Sequence, residues 1–444
     1  MSSDAAANAG AGLRVRQNDT RAILGIGVGN SLEWFDTSLY GIFAVYFAPQ
    51  FFNSKDSTSA LLSALVVMAV GFVARPFGGF LFGWISDRVG RKLSMALTIT
   101  LAAVGSLAIG ISPTYGAIGA GASVILVVAR LVQGLAHGGE LPSAQTYVSE
   151  FAPKERRGLW SSLIYTSGTT GVLAGTILAA VLTASLGKDA MYDYGWRIPF
   201  IIAGLSGIFG LFMRLRMTEP EVFSASLVKA RKPNILKGVW THKRQALQVI
   251  GMTAGLTVMY NVWSSYAPAQ AIASRGVDAN HAFWAGVVAN VIFIAALPLC
   301  GILSDRIGRK PVLLLGAISG AILMFPLNAL IGNSAVMLGV AMSIALICIA
   351  MAASIVPAVY AELFPTHIRT TAVAIPYAIC VAAFGGTAPY LQTYFSSIGN
   401  ADIFYGYAVA LQLISALVIS RLPETKAQDL REAEPDNEKV SLNG

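Results

Sequence analysis

Long apolar runs, each about the length needed to cross a bilayer as helix, alternate with short polar segments along most of the chain. The runs lie at roughly 22–48, 60–86, 94–112, 122–149, 158–184, 198–217, 246–270, 282–304, 311–332, 336–362, 370–397 and 403–421. A span needs about 20 predominantly apolar residues as α-helix. The runs are continuous rather than alternating, so they predict helices and not the strands of a barrel. Twelve membrane helices are expected, in an all-α membrane protein. Gly25, Gly27 and Gly29 follow no strand, so they suit close helix contact and not a nucleotide loop.

Polar segments divide the chain. Residues 1–21 form an N-terminal tail, 22–217 a first six-helix bundle, 218–245 a linker, 246–422 a second six-helix bundle and 423–444 a tail. Lys229, Arg231, Lys232, Lys237, Lys243 and Arg244 make the linker basic. The first apolar run lacks the short core and cleavage site of a signal peptide, so it reads as a retained helix.

Two segments recur. Gly83-Trp-Ile-Ser-Asp87-Arg88-Val-Gly90-Arg91-Lys92 returns as Gly301-Ile-Leu-Ser-Asp305-Arg306-Ile-Gly308-Arg309-Lys310. Glu150-Phe-Ala-Pro153-Lys-Glu-Arg-Arg157 returns as Glu362-Leu-Phe-Pro365-Thr-His-Ile-Arg369. Thr218-Glu219-Pro220 and Pro423-Glu424-Thr425 form a weaker third pair. Ordered matches about 210 residues apart imply a duplicated six-helix unit, and parallel repeats of this kind surround a central cavity.

Composition agrees. Of 444 residues 55% are hydrophobic and 12% charged, about half the charge of a soluble domain. The net charge of +8 does not require nucleic acid. With the N-terminus inside, nearly all Lys and Arg fall in inner segments, and the outer loops hold Lys55, Lys188, Arg197 and Arg275. Both termini are therefore expected in the cytoplasm. Cys300, Cys348 and Cys380 lie in apolar runs, which argues against a disulfide framework, and no metal-ligand spacing occurs. No cofactor is implied.

Candidate chemistry lies in the first half. A charge inside a span is costly and is read first as functional. Glu33, Asp36 and Tyr40 share one face of helix 1, and Arg130, Gln133, His137 and Glu140 share one face of helix 4. At 1.5 Å per residue, Glu33, Arg75 and His137 lie roughly 16–19 Å from the inner end, near the midplane. The second half offers Tyr260, Asn261, Trp263, Tyr266, Asn290 and Tyr377 as polar and aromatic groups. Arg75 and Arg130 are candidates for a substrate carboxylate, because a guanidinium makes two parallel hydrogen bonds to it. Glu33 or Asp36, then Glu140 or His137, are candidates for the coupling proton. Ion pairs that merely fix helix packing are the plainer alternative. Asp87, Arg91, Glu150 and Arg157, repeated as Asp305, Arg309, Glu362 and Arg369, suit an inner gate. The positive-inside rule needs only bases, yet the acids are repeated too.

These motifs resemble the major facilitator superfamily over about residues 20–425. The repeated Gly-x-x-x-Asp-Arg-x-Gly-Arg-Lys loops and Arg130-Leu-Val-Gln133-Gly134 are similar to its signatures. Within it the chain resembles the metabolite:proton symporters, a group that includes alpha-ketoglutarate, citrate, shikimate and proline/betaine permeases. The segments are Gly29-Asn30-Ser-Leu-Glu33-Trp34-Phe35-Asp36, Arg75-Pro76-Phe-Gly78-Gly79, Gly138-Gly139-Glu140, Gly195-Trp196-Arg197-Ile-Pro199-Phe200 and Phe364-Pro365-Thr-His367-Ile-Arg369. Leu236-Lys-Gly-Val-Trp240 and Phe384-Gly385-Gly386 point to the alpha-ketoglutarate branch. Thr37 stands where the group usually has an aromatic. The resemblance implies the major facilitator fold, with two pseudo-symmetric six-helix halves, in a monomer of the bacterial inner membrane. It implies proton-coupled import of a small carboxylate metabolite, an alpha-ketoglutarate-like di- or tricarboxylate or related organic acid, by alternating access. Its alternatives are import of a zwitterion such as proline or betaine, or a sensor without net transport. No nucleophile–base pattern supports an enzyme.

Overall fold

The computed structural model describes residues 3–53, 56–88, 91–138, 140–215, 242–365, 369–428 and 430. Side chains are described from Gly25 onward, except at 83, 86–88, 91–92, 140, 142–143, 213–215 and 371. The linker Thr218–Arg231–Trp240, His367, and the side chains of Asp87, Arg91 and Glu140 lie outside the described residues.

Twelve rods run through the described chain. They are α1 (Ser3–Phe51), α2 (Ser57–Arg88), α3 (Arg91–Ile111), α4 (Ala120–Ala136 and Glu140–Phe151), α5 (Arg157–Ala190) and α6 (Arg197–Leu215), then α7 (Lys243–Tyr260 and Ala267–Arg275), α8 (Ala279–Ile307), α9 (Arg309–Ile331), α10 (Ala335–Ala353 and Val356–Leu363), α11 (Arg369–Cys380 and Ala388–Ser397) and α12 (Ala401–Ser420). Eight helical segments among the described residues are long and apolar enough to cross a membrane. The remaining rods fall short for local reasons. α1 carries Glu33 and Asp36, α4 and α7 are interrupted part-way, and the described apolar part of α6 is short.

Local chemistry sets the ends. Asp278 starts α8 by accepting a hydrogen bond from the His281 amide at 3.0 Å. Gly276 ends α7 at φ +65°, a left-handed position where glycine has no steric cost. Phe77, Phe80, Phe209, Leu299 and Ile322 stand exposed on the outside, an apolar perimeter that suits lipid and not water.

The two halves, α1–α6 and α7–α12, meet along α5 against α8 and α2 against α11. These contacts correspond under the repeat. Gly158 on α5 and Gly301 on α8 bring the two backbones together, since a Cβ on either would lie 2.6 Å from the other's carbonyl oxygen. One end of the bundle carries Arg157, Arg309 and Arg369, and is called the basic end here.

Three of the rods lose regular helix beside one internal space. α4 breaks at His137–Gly138, α7 passes through a π-turn over Asn261–Tyr266, and α11 through one over Val381–Gly385. Single-turn π-bulges occur frequently at functional sites. All three interruptions border the same internal space.

Candidate functional site: a mid-bundle cavity

That space is a cavity of about 90 Å³ between the halves. α1 supplies Glu33, Trp34 and Thr37, α2 supplies Met68, Phe72 and Arg75, and α4 supplies His137 and Gly138. Tyr165 of α5 joins them. The second half contributes Thr253, Tyr260, Asn261 and Tyr266 from α7 and Tyr377 from α11.

Glycine explains why α2 and α4 approach closely enough to bring Arg75 near His137. A Cβ on Gly134 would lie 2.1 Å from the Gly71 carbonyl oxygen, and one on Gly138 1.9 Å from the Arg75 carbonyl oxygen. No side chain fits there. α1 meets α5 the same way at Gly171, whose added Cβ would lie 2.0 Å from the Ser31 carbonyl oxygen.

His137 sits between two carboxylates. Its Nδ1 is 3.6 Å from Glu33 Oε1 and its Nε2 is 3.2 Å from Asp36 Oδ2. A proton on each ring nitrogen serves both acids, whereas the neutral ring can donate to one. Glu33 faces the cavity, and Asp36 lies behind the wall. Ser106 donates to Asp36 Oδ1 through its hydroxyl. Gln133 Nε2 donates to Asp36 Oδ2 at 3.2 Å and to Ser106 Oγ at 2.7 Å. Arg130 Nη1 donates to Gln133 Oε1 at 3.0 Å, and its guanidinium lies 4.2 Å over the Tyr40 ring.

Arg75 differs from every other arginine of the interior. Its guanidinium stacks 4.2 Å over the Phe72 ring and is partly accessible from the cavity. It is electrostatically close to Glu33, Tyr377 and Asp36, yet it makes no ion pair or hydrogen bond among the described residues.

Sequence comparison places this architecture. The Major Facilitator Superfamily model matches residues 26–278, and the model described as Sugar (and other) transporter matches 224–436. The chain belongs to the major facilitator superfamily. This major facilitator is 34% identical to the alpha-ketoglutarate permease of Escherichia coli K12, over 94% of its own length and 98% of the relative's. It is 29% identical to the proline/betaine transporter of the same strain, over 94% and 85%. A crystal structure of a D-xylose–proton symporter superposes with a TM-score of 0.69 at 22% identity, covering 92% of this chain and 98% of that one. A partially occluded, inward-open xylose transporter from E. coli gives 0.68 at 21%, with the same coverage. At such identity these structures speak for the fold. The protein is a multi-pass membrane transporter and not an enzyme.

Among the residues singled out from sequence, Glu33, Arg75, His137, Tyr260, Asn261 and Tyr377 line this facilitator's cavity. Asp36, Arg130 and Gln133 stand directly behind it, Arg130 only 4% exposed. Two others face elsewhere. Asn290 ties α8 to α7, its amide donating to the Ser264 carbonyl at 3.1 Å and the Gly286 carbonyl at 3.0 Å. Trp263 is packed into the core of the second half. Trp34, Phe72, Tyr165 and Ser106 belong to the site although sequence reasoning did not select them. Trp34 follows Glu33 in the chain, which was the available signal. Ser106 gave none.

The repeated motifs meet at the basic end, and they pair crosswise. Arg157 of the first half donates to Glu362 of the second at 2.7 Å. Arg369 of the second half donates to Glu150 of the first at 2.6 Å. Arg309 Nη1 donates to Asp305 at 2.6 Å, and its Nη2 lies 3.8 Å from Glu362. Asp305 also accepts from the Gly158 and Leu159 amides at 2.8 and 2.9 Å, capping α5 from the other half. The segment after α12 adds to the network. Thr425 donates to Glu362 at 2.6 Å, and Gln428 offers its carbonyl oxygen to Arg157 at 3.0 Å. Contact between the halves at the opposite end has another character: Asn280 donates to the Ala180 carbonyl at 2.8 Å, and Tyr46 packs near Phe283.

Proposed function

We propose that this transporter imports a small carboxylate metabolite together with a proton, by alternating access, across a bacterial inner membrane. The observation that carries the reading is Arg75, a guanidinium that lines a mid-bundle cavity and makes no ion pair or hydrogen bond among the described residues. A buried charge left unpaired is costly, so an anionic ligand is the natural partner. The relatives named for alpha-ketoglutarate and for proline/betaine carry carboxylate-bearing substrates, which supports the same anchor.

Proton coupling rests on the Glu33–His137–Asp36 cluster beside Arg75. An arginine does not deprotonate in a protein, so these three groups exchange the proton. Ionised Glu33 competes electrostatically with an incoming carboxylate for Arg75, and its protonation removes that competition. Proton and anion then favour each other's binding, and the coupling is reciprocal. Arg130, with Gln133 and Ser106, holds Asp36 in place behind the wall. The crosswise ion pairs act as a gate that opens when the halves rock apart. Lys and Arg placement sets the basic end, and both termini, in the cytoplasm.

The test is uptake of labelled carboxylates into proteoliposomes with an imposed inward proton gradient. Accumulation that collapses with the gradient supports the reading, and absence of uptake for every carboxylate favours a sensor. Import of a betaine with exclusion of plain carboxylates favours the zwitterion reading, which the proline/betaine relative supports.

A further inference from the structure

From the same cavity we infer the class of anion: a monocarboxylate whose body is a flat apolar ring, and not a dicarboxylate. The inference rests on Arg75 as the carboxylate anchor.

Charge comes first. Among the described residues that line the cavity, Arg75 is the single lysine or arginine and Glu33 the single carboxylate. Arg130 is no second anchor, because its guanidinium lies behind the wall on Gln133 and the Tyr40 face and does not line the space. His137 is held between Glu33 and Asp36, so its positive form already answers two acids. With Glu33 protonated, Arg75 and one carboxylate sum to zero. A second carboxylate would meet no free cation, and a desolvated unpaired carboxylate is strongly unfavourable.

Shape comes second. Trp34, Tyr165 and Tyr260 come from α1, α5 and α7, so both halves contribute to one aromatic wall. Their ring centroids lie 5.3–5.7 Å apart, with interplanar angles of 73–82°. Each pair is in edge-to-face contact, the arrangement favoured by ring quadrupoles. Met68, Phe72, Leu141 and Leu256 continue the apolar lining. A ligand anchored on Arg75 therefore lays its body against rings and aliphatic groups. The Asn261 amide gives one N–H to the Thr257 carbonyl at 2.9 Å, so it offers a distal oxygen at most one neutral donor and no charge. The rings contact one another instead of surrounding a vacancy, which suits a planar body better than an enclosed ammonium.

The test uses the full chain purified in detergent, with benzoate, alpha-ketoglutarate and glycine betaine as probes. Affinity is read by calorimetry, and exchange by labelled benzoate in proteoliposomes. Benzoate is expected to bind about tenfold more tightly than either other probe, on the order of one aromatic contact plus one relieved charge. Trp34→Leu should weaken benzoate several-fold. Tyr260→Leu perturbs the same wall should the first variant fail to fold. Alpha-ketoglutarate or betaine binding as tightly as benzoate, or benzoate not binding, overturns the ring-monocarboxylate inference. If that preferred ligand is still lost in Arg75→Lys, the carboxylate anchor stands without it. If Arg75→Lys leaves binding of every probe unchanged, the anchor itself fails, and the proposed function with it.

Discussion

Two regions of this transporter hold buried arginines, and they hold them differently. At the basic end Arg157, Arg309 and Arg369 each have a carboxylate within ion-pair distance, and two of those pairs cross from one half to the other. In the cavity Arg75 has an aromatic face, with Glu33 and Asp36 in electrostatic reach and no ion pair among the described residues. The first arrangement is self-sufficient and needs the halves to stay together. The second faces an open cavity. Charge in a membrane bundle is therefore not one signal. On the proposed function, its pairing separates the groups that set conformation from those that recognise cargo.

The largest effect is expected from breaking the paired region. Glu362 is fully buried in its side chain and serves Arg157, Arg309 and Thr425 together. Glu362→Ala should cost about 3–5 kcal/mol, because it strands buried guanidinium charge. Thermal unfolding in detergent would record a lower Tm. An unchanged Tm would mean that the network does not hold the halves together.

Arg75→Leu should do the opposite to stability and more to binding. It removes a desolvated charge that makes no ion pair among the described residues, so Tm should hold or rise. Anion affinity should fall by about 10- to 150-fold, the worth of a charge-assisted hydrogen bond at roughly 1.5–3 kcal/mol. Calorimetry and unfolding on one sample check both halves of this statement. A marked drop in Tm would show that Arg75 is a packing residue after all.

Asp305→Asn comes next. The amide keeps some hydrogen bonding to Gly158 and Leu159, and loses the charge that answers Arg309 and the α5 terminus. Transport should slow several-fold while binding persists, since Asp305 is remote from the cavity lining. Normal transport rates would remove it from the gate.

Much of this was legible in the sequence, for identifiable reasons. Hydrophobic run length needs only the thickness of a bilayer, and the duplicated loops reveal the halves. Depth along a helix follows from rise per residue, which is why Glu33, Arg75 and His137 came out level and do share the cavity. The direction a side chain faces was harder. α8 is apolar nearly all round, so nothing in its pattern turned Asn290 toward α7 and away from the cavity. The break at His137–Gly138 and the π-turns of α7 and α11 arise from packing between rods, of which a glycine is at most a hint. The repeated Glu and Arg pointed to the residues that pair at the basic end. Their crosswise pairing depends on how two halves face each other, which no local pattern encodes.

The smallest effect is expected within that crosswise pair itself, and it isolates burial as the cause. Arg157–Glu362 and Arg369–Glu150 correspond under the repeat, with similar distances of 2.7 and 2.6 Å. Their carboxylates differ in exposure, with 0% for the Glu362 side chain and 40% for Glu150. An exposed carboxylate is already hydrated and screened, so losing its charge costs about 0–1 kcal/mol. Arg369 also keeps other partners, the carbonyls of Phe364 at 3.1 Å and Leu430 at 3.3 Å. Glu150→Gln should therefore lower Tm by a degree or two at most, on the order of the surface-pair value. That drop should shrink at high salt, where exposed charges are screened. Glu362→Gln should lower Tm severalfold more, with little dependence on salt. Equal, salt-independent losses from the two variants would mean that geometry, and not burial, sets the strength of these pairs.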